Sequence, residues 1–436
     1  MDSIAIQPAG GPVSASIRPP GSKSLTNRAF ICAALAEGES LLQGVLDSED
    51  TRVMAESLRR LGIATEPHWE RSEIRVSGCG GQIPAQDADL FLANSGTSIR
   101  FLTALTALGR GRYRLDGIER MRQRPIADLL AALNQLGADV RSENDTGCPP
   151  VSVVAAGLPG GKARVRGNIS SQFLSALLMT APYSQTGVEL EVEGELVSKP
   201  YVAMTLAVMD AFSTTSFQGS DLQTFRFAPG RAYQGRTYAI EPDASAASYF
   251  WAAAAITGGK ATVEGLSRNA LQGDVGFCEC LEKMGCRVEY SDKNITVFGE
   301  SLRGGEFDMN AISDTVQTLS AVALFAEGST TITGVAHNRH KETDRIGDLA
   351  CELRKFGAVV DELPDGLRIT PPAEVQAAEV ETYNDHRMAM SLSLPGLRVP
   401  GVVIRNPRCT EKTYPRFFDD LNMFTQGASG ASLNDE

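Results

Sequence analysis

The sequence is poor in the residues that build metal centres and disulfide frameworks. Its 436 residues include eight cysteines and four histidines, and no two cysteines form a CxxC pair. Cys278, Cys280 and Cys286 lie close together, but they lack a second ligand pair at the spacing of known zinc sites. We therefore predict reduced, mostly buried thiols and no metal site.

Long apolar runs are also absent. No stretch approaches the ~20 apolar residues that a membrane helix needs. The N-terminal residues MDSIAIQPAGGPVSASIRPPGSKS contain no apolar core like that of a signal peptide, so we expect a cytoplasmic protein without membrane contact. Apolar residues still make up 42% of the chain. A chain of this length is enough for two domains of roughly 200 residues each.

Positive charge is scarce overall but unevenly distributed. The net charge is −12, whereas a nucleic-acid-binding protein is more often basic, so we expect no nucleic-acid partner. The cations cluster beside Gly, Ser, Asn and Pro, which places them in loops. An acidic protein with basic loops suits a small, highly anionic ligand. The clusters are Arg120, Arg122 and Arg124; Arg339, His340, Lys341 and Arg345; His386 and Arg387; and Arg405, Arg408, Lys412 and Arg416.

Two short patterns recur along the chain at intervals of about 72 residues. One is an apolar helix end followed by a small residue, and the other is a short strand that ends in glycine or asparagine. Because two independent markers share one period, we infer six α/β units, three in each of two domains. The first marker ends at Gly62, Gly137, Ser213, Gly285, Gly357 and Thr425, and the second at Gly44, Gly117, Gly194, Gly265, Gly334 and Asn406.

Each unit also has a small polar cluster that leads into an apolar helix. Ser, Asn and Asp are preferred helix N-caps, and the free N–H groups of a helix start favour anions. One cap alone would be ordinary capping, but six of them, several beside Lys or Arg, predict a shared anion-binding cleft. One cluster, Asp314-Thr315-Val316-Gln317, resembles a capping box. The six clusters begin at Ser22, Asn94, Ser170, Asp243, Asp314 and Asp385.

Three segments of the N-terminal half present candidate anion binders. Pro19–Ser24 lacks the glycine pattern of a P-loop, yet it puts Lys23 at a predicted helix start. Gly96 has no Cβ, so an anion could approach its N–H closely; alternatively it is an ordinary turn glycine with positive φ. Arg124 precedes the stiff Pro125, which suits bidentate contact with a carboxylate or phosphate.

The segment Lys341–Arg345 carries four charges in five residues. The (i, i+4) spacing predicts Lys341 and Arg345 on one face of a helix, with Glu342 just off that face. Surface ion pairs are the simpler interpretation. The neighbouring cations instead favour acid–base groups held among anion binders.

These segments resemble the EPSP synthase family of enolpyruvyl transferases. The resemblance rests on PPGSKSLTNRAF, NSGTSIRF, RMRQRPIADLL, ISSQFLSALL, SKPYV, DASAASYF, SDT, KETDRI, DHRMAM and CTEKTYPRFF, in the family's order from residue 19 to residue 418. It implies an α/β fold, a two-domain inverse α/β barrel with six βαβαββ repeats, three per domain. The domains would be 21–240 and 1–20 plus 241–436, with the active site in the cleft between them.

The resemblance also implies an activity and a role for each site residue. The enolpyruvyl group of phosphoenolpyruvate would pass to the 5-hydroxyl of shikimate 3-phosphate without metal or other cofactor, on a monomer. The implied catalytic residues are Asp314, Glu342 and Lys23. The implied contacts of shikimate 3-phosphate are Lys23, Ser24, Arg28, Ser170, Ser171, Gln172, Ser198, Asp314 and Lys341, with Tyr201 beside them. Those of phosphoenolpyruvate are Lys23, Gly96, Arg124, Gln172, Arg345, Arg387 and Lys412.

Two alternatives and several departures accompany this interpretation. A relative with the same fold acts on UDP-N-acetylglucosamine, but it carries a cysteine where this chain has Glu119 and Lys-Asn where this chain has Lys23-Ser24. The other alternative is a non-catalytic domain of a larger biosynthetic polypeptide, or an anion-binding protein. The family often has Asn at the position of His337, Ala at Ser95 and Pro at Phe101.

Overall fold

The computed structural model describes residues 2–213, 222–230 and 233–426. The chain forms two compact units, one of Gly21–Glu241 and one that combines Met1–Pro20 with Pro242–Glu436. Each unit has its own cluster of buried apolar side chains. Among the described helices, none has the length and apolar character needed to span a bilayer.

The helices of the described segments fall into two kinds. Some are buried along nearly their whole length, and others, such as Glu49–Arg60, bury one face and expose charged residues on the other. The α-helices are α1 (Lys23–Leu35), α2 (Glu49–Arg60), α3 (Gly96–Thr106), α4 (Ala127–Gln135), α5 (Ser171–Thr180), α6 (Lys199–Phe212), α7 (Ala244–Thr257), α8 (Phe277–Lys283), α9 (Val316–Ala323), α10 (Gly347–Lys355), α11 (His386–Ser393) and α12 (Phe417–Thr425).

The strands are short and alternate between buried and more exposed residues, as expected for sheets with one face on a core. They are β1 (Ser3–Ala5), β2 (Ser14–Ile17), β3 (Glu39–Gln43), β4 (Thr65–His68), β5 (Glu73–Ser77), β6 (Asp87–Phe91), β7 (Arg110–Asp116), β8 (Asp139–Ser142), β9 (Val151–Ala156), β10 (Gly161–Arg166), β11 (Val188–Glu193), β12 (Thr224–Phe227), β13 (Thr237–Ala239), β14 (Lys260–Glu264), β15 (Arg287–Tyr290), β16 (Asn294–Phe298), β17 (Glu306–Asp308), β18 (Thr330–Thr333), β19 (Val359–Leu363), β20 (Gly366–Thr370), β21 (Glu379–Val380) and β22 (Val403–Arg405).

The sheets share one pairing pattern. Each sheet in the described residues contains one parallel strand pair, and its remaining pairs are antiparallel. In the pair β3–β5, Leu42 lies opposite Ile74 and both side chains are buried. The sheet orders are β13-β3-β5-β4, β6-β7-β9-β8 and β10-β11-β12 in one unit, and β15-β16-β14-β2, β17-β18-β20-β19 and β1-β22-β21 in the other.

The polar clusters of the sequence begin the buried helices, as predicted. The side chains of Ser22, Ser95 and Ser170 accept hydrogen bonds from the first turns of α1, α3 and α5. Asp243 and Asp385 do the same for α7 and α11. Nearly all residues of these helices are buried, so the helices lie inside the units and the caps satisfy N–H groups that water does not reach.

The predicted capping box at Asp314 is wrong. This residue lies within a 3-10 helix, Asn310–Thr315, and α9 begins only at Val316 without a side-chain cap. Its carboxylate instead contacts three cationic side chains. Charge-assisted bonds of this kind are stronger than a cap to one backbone N–H, which explains why the carboxylate turns away from the helix.

Candidate active site

Lys23 is the first residue of α1, directly after the cap Ser22. Its ammonium lies 3.3 Å from the carboxylate of Asp50, and the side chains of both residues are largely buried. Asp50 belongs to the first turn of α2. This partner could not be predicted from the sequence, because an acidic residue in a first helical turn is common on any surface helix.

Arg28 lies about one turn further along α1 and is fully buried. Its guanidinium donates to the backbone oxygens of Ser24 and Tyr201 at 2.9 Å and 3.2 Å. It also donates to the hydroxyls of Thr205 and Ser175. Burial lowers the pKa of Arg28 to about 10. These bonds tie the start of α1 to α5 and α6.

Gly96 and Arg124 are in direct contact. Gly96 starts α3 outside the left-handed backbone region, so the interpretation as a positive-φ turn glycine is wrong. A Cβ added there would lie 2.5 Å from a terminal nitrogen of the Arg124 guanidinium. Arg124 is buried and donates to the backbone oxygen of Asn94 at 3.0 Å. The missing side chain of Gly96 therefore makes room for a cation at the helix start.

Gln172 links the starts of α3 and α5. Its side-chain oxygen accepts from Arg100 at 2.6 Å, and its amide nitrogen donates to Thr97 at 3.3 Å. Ser170 caps α5, and Ser171 is the first residue of that helix. Ser198 precedes α6 with φ of 54°, a left-handed conformation that is costly for a residue with a Cβ.

In the unit completed by Met1–Pro20, three cations converge on Asp314. The ammonium of Lys341 lies 2.6 Å from one carboxylate oxygen, and Arg345 donates to the same oxygen at 3.2 Å. Arg387 donates to the other oxygen at 2.8 Å. Lys341 also donates to the hydroxyl of Ser313 at 3.2 Å.

Arg345 connects this cluster to two further carboxylates. It donates to Glu342 at 2.8 Å and makes a bidentate pair with Asp385 at 2.7 Å and 3.1 Å. The ammonium of Lys412 lies 3.9 Å from the other oxygen of Glu342. Arg345, Glu342, Asp385 and Lys412 are all buried. The result is a network of alternating charges that water hardly reaches. Because little solvent screens them, the electrostatic interactions between its members are strong.

The network shifts the pKa values of its members. Burial would raise the pKa of the Asp314 carboxyl, but Arg387, Lys341 and Arg345 together hold it well below its usual value. Burial lowers the pKa of the Lys341 ammonium, although Asp314 opposes that shift. Asp314 is therefore ionised in the described arrangement.

The predicted helix through Lys341 and Arg345 is wrong. Lys341 directly follows a 3-10 helix, Ala336–His340, and α10 begins only at Gly347. The two side chains meet at Asp314 through an irregular turn, in which the backbone N–H groups of both donate to the carbonyl of Asn338. Because these two N–H groups bond to the carbonyl of Asn338 and not to the carbonyls four residues before them, this segment does not form an α-helix.

Two polar residues of this segment, Asp344 and Asn338, have other hydrogen-bond partners. Asp344 turns away and accepts from Arg339 at 2.9 Å and from two backbone N–H groups at the start of α10. Asn338 is fully buried and donates to the backbone oxygen of Ser313 at 2.9 Å.

The predicted residues thus form two groups. One unit brings together Lys23, Arg28, Gly96, Arg124 and Gln172 at the starts of α1, α3 and α5. The other brings together Asp314, Lys341, Glu342, Arg345, Arg387 and Lys412 around the start of α11 and three 3-10 helices, Asn310–Thr315, Ala336–His340 and Pro407–Lys412. Of the cluster Arg120, Arg122 and Arg124, Arg124 contacts Gly96, whereas Arg122 pairs with Asp116 and is half-exposed.

Comparison with known proteins gives one consistent family. The family model for EPSP synthase, 3-phosphoshikimate 1-carboxyvinyltransferase, matches residues 8–421. A 3-phosphoshikimate 1-carboxyvinyltransferase of Nostoc punctiforme is 49% identical over 96% of this chain and 98% of its own length. A chloroplastic relative in Arabidopsis thaliana is 46% identical over 95% of this chain and 83% of its own.

Solved structures give the same result. An EPSP synthase from Acinetobacter baumannii superposes with a TM-score of 0.82 at 25% identity, over 98% of this chain and 99% of that one. The mixed α/β architecture is therefore that of the EPSP synthases. The chain belongs to the EPSP synthase family and transfers the enolpyruvyl group of phosphoenolpyruvate to shikimate 3-phosphate.

Proposed function

We propose that Asp314 and Glu342 are the proton-transfer groups of this reaction and that the cations around them bind its anionic substrates. The observation that supports this best is the convergence of Lys341, Arg345 and Arg387 on the carboxylate of Asp314. So many buried charges are costly to assemble. They are expected where two polyanions must be brought together against their repulsion.

The proposed substrate contacts are those that the family resemblance implies. In this proposal phosphoenolpyruvate is bound by Lys23, Gly96, Arg124, Gln172, Arg345, Arg387 and Lys412. Shikimate 3-phosphate is bound by Lys23, Ser24, Arg28, Ser170, Ser171, Gln172, Ser198, Asp314 and Lys341. The starts of α1, α3 and α5 support the binding of anions there, because their N–H groups and adjacent cations suit phosphate oxygens.

The chemistry then needs proton transfers in both directions and no redox change. The 5-hydroxyl oxygen of shikimate 3-phosphate bonds to C2 of phosphoenolpyruvate, its proton passes to Asp314, and Glu342 gives a proton to C3. Phosphate leaves C2 as Glu342 takes a proton back from C3, which restores the double bond, and the proton held by Asp314 passes to the departing phosphate. Carboxylates beside the reacting carbons suit such transfers in both directions.

Substrate binding would itself make Asp314 a better base. Its low pKa comes from Arg387, Lys341 and Arg345, after burial has acted in the opposite direction. When the carboxylate and phosphate of phosphoenolpyruvate pair with Arg345 and Arg387, these arginines attract the carboxylate of Asp314 less strongly. The pKa of Asp314 then rises. Proton acceptance is then coupled to the presence of the second substrate.

The test is the turnover of Asp314→Ala and Glu342→Ala, measured as phosphate released from phosphoenolpyruvate when shikimate 3-phosphate is present. We expect kcat to fall by ~10²–10⁴-fold in each variant, the usual range for lost general acid–base catalysis. KM for phosphoenolpyruvate should not rise in Asp314→Ala, because this change leaves the arginines in place. Near-native turnover in both variants would show that other groups move the protons.

A matched control is Asp344→Asn. Asp344 lies beside Arg345 in the chain, but its carboxylate contacts Arg339 and backbone N–H groups. We expect turnover within about twofold of the unmodified enzyme, since surface ion pairs contribute little. Release of phosphate with UDP-N-acetylglucosamine in place of shikimate 3-phosphate would overturn the substrate assignment.

We propose further that the six sheets belong to six βαβαββ repeats, three per domain, in an inverse α/β barrel. The domains would be 21–240 and 1–20 plus 241–436, with the active site in the cleft between them. The pairing pattern shared by the sheets supports the repeats. The enzyme would act as a cytoplasmic monomer without membrane or nucleic-acid partners, and the net charge of −12 argues against the last of these.

A further inference from the structure

A fully buried carboxylate lies outside both groups of site residues. Glu352 belongs to α10 and has no exposed surface. One of its oxygens accepts from the backbone N–H of Glu381 at 2.9 Å, and the other accepts from the hydroxyl of Tyr383 at 2.8 Å. The ammonium of Lys355 lies 2.8 Å away. A buried charge with such partners is strongly destabilising to disrupt, so its position is fixed.

Both hydrogen-bond donors belong to a loop with a costly backbone. Tyr383 and Asn384 follow one another with φ of 52° and 56°, in the left-handed region. Asn tolerates this region, but a residue such as Tyr adopts it only where its surroundings enforce it. The N–H of Asp385 closes the turn by donating to Thr382 at 2.8 Å. Glu352 therefore holds the loop at both Glu381 and Tyr383.

The loop leads directly into the candidate active site. Asp385 caps α11 and makes the bidentate pair with Arg345. Arg387, two residues on, donates to Asp314. A shift of the loop would move both arginines. Arg345 is paired with the cap residue Asp385, and Arg387 lies in the first turn of α11.

We propose that Glu352 is a positioning residue: by holding the loop Glu381–Asn384, it sets the places of Arg345 and Arg387 for phosphoenolpyruvate. This inference rests on the proposed assignment of those two arginines to that substrate. Glu352 touches neither substrate. Its effect is transmitted through Tyr383 and the strained turn.

Two substitutions test the proposal. Glu352→Gln keeps the shape but turns an NH₂ group toward one of the two donors, and Tyr383→Phe removes only the hydroxyl of a ring that is 38% exposed. We expect KM for phosphoenolpyruvate to rise roughly 10-fold in each, since a bond to a charged group is worth about that factor or more. KM for shikimate 3-phosphate and kcat should change less than about threefold. The double variant should be no worse than Glu352→Gln alone, because both changes break one path.

The matched control is Tyr290→Phe. Tyr290 donates to Glu282 at 3.1 Å in the same unit and is remote in sequence from the loop. Tyr290→Phe removes a hydrogen bond from a tyrosine hydroxyl to a glutamate, as Tyr383→Phe does. We expect no change in KM for phosphoenolpyruvate or for shikimate 3-phosphate. A lowered melting temperature in the test variants with KM for phosphoenolpyruvate within twofold would mean that Glu352 only stabilises the fold, and would overturn the proposal. Tyr383→Phe alone decides if Glu352→Gln does not fold.

Arg387→Lys separates this inference from the assignment on which it rests. If Arg387→Lys raises KM for phosphoenolpyruvate but neither test variant does, the positioning role is wrong and the substrate assignment stands. If Arg387→Lys leaves that KM unchanged, the assignment of the arginine fails and the positioning role fails with it.

Discussion

At the scale of single residues, the contact between Gly96 and Arg124 gives the sharpest test of the proposed phosphoenolpyruvate site. The α3 start leaves no room for a methyl group, because a Cβ would lie 2.5–2.9 Å from three guanidinium atoms. These atoms are the end of a flexible side chain, so Arg124 would move rather than the backbone. The backbone at Gly96 is not left-handed, so alanine adds no conformational strain there.

We therefore predict that Gly96→Ala displaces the Arg124 guanidinium and leaves the fold intact. Overpacking of a tight site costs ~1–3 kcal/mol, which corresponds to a rise of roughly 5–150-fold in KM for phosphoenolpyruvate. KM for shikimate 3-phosphate should change little, since its proposed contacts lie elsewhere. Steady-state kinetics with each substrate varied, together with the melting temperature, checks this.

Gly10→Ala is the control for this prediction. An added Cβ at Gly10 meets no atom within 4 Å, and its backbone is not left-handed. We expect both KM values and the melting temperature to stay unchanged there. A Gly96→Ala enzyme with a lowered melting temperature and an unchanged KM for phosphoenolpyruvate would contradict the assignment of Gly96 and Arg124.

At the scale of elements, the starts of the buried helices could be predicted from the sequence, because a helix cap is a local feature. The contacts of Asp314 could not be predicted, because they involve charged residues that are distant in the sequence. A polar residue before an apolar run indicates a cap, which is correct for Ser22, Ser170 and Asp243. The same signal fails at Asp314, because its partners Lys341 and Arg387 are distant in sequence. Residue spacing contains no information about such partners.

The 3-10 helix Ala336–His340 buries His337 and gives a prediction about pH. Burial, with help from Lys341, lowers the pKa of His337 to about 3 from its usual 6.5, and Asp314 opposes this only in part. In the unfolded chain the imidazole takes up a proton near its usual pKa, so stability is lost as pH falls from 6.5 toward 3. Between about pH 7.5 and about pH 5 the loss should be ~2 kcal/mol.

His337→Asn removes the titrating group and should remove this part of the acid sensitivity. Urea unfolding of both proteins at the two pH values measures it. The control is His68→Asn, because His68 is an exposed residue of β4. We expect His68→Asn to keep the full acid loss. Equal acid losses in His337→Asn and the unmodified enzyme would mean that His337 titrates normally in the folded state.

At the scale of the whole molecule, the division of the proposed site residues between two units has a consequence for motion. The chain passes between the units only after Pro20 and after Glu241. Units joined by so few connections are expected to move relative to one another. In the proposed assignment, one substrate is bound by residues of both units, such as Ser170 and Asp314 for shikimate 3-phosphate.

We therefore predict that shikimate 3-phosphate draws the two units together. The radius of gyration from small-angle X-ray scattering should fall when this ligand is added, since a ligand that contacts both units favours the state in which both contacts form. The two connections should also become more resistant to protease. Inorganic phosphate at the same concentration is the control, because it can satisfy the cations of one unit without bridging to the other. Superimposable scattering curves with and without shikimate 3-phosphate would contradict closure. If inorganic phosphate lowers the radius of gyration by the same amount, the change comes from charge neutralisation alone, which would also contradict closure by bridging.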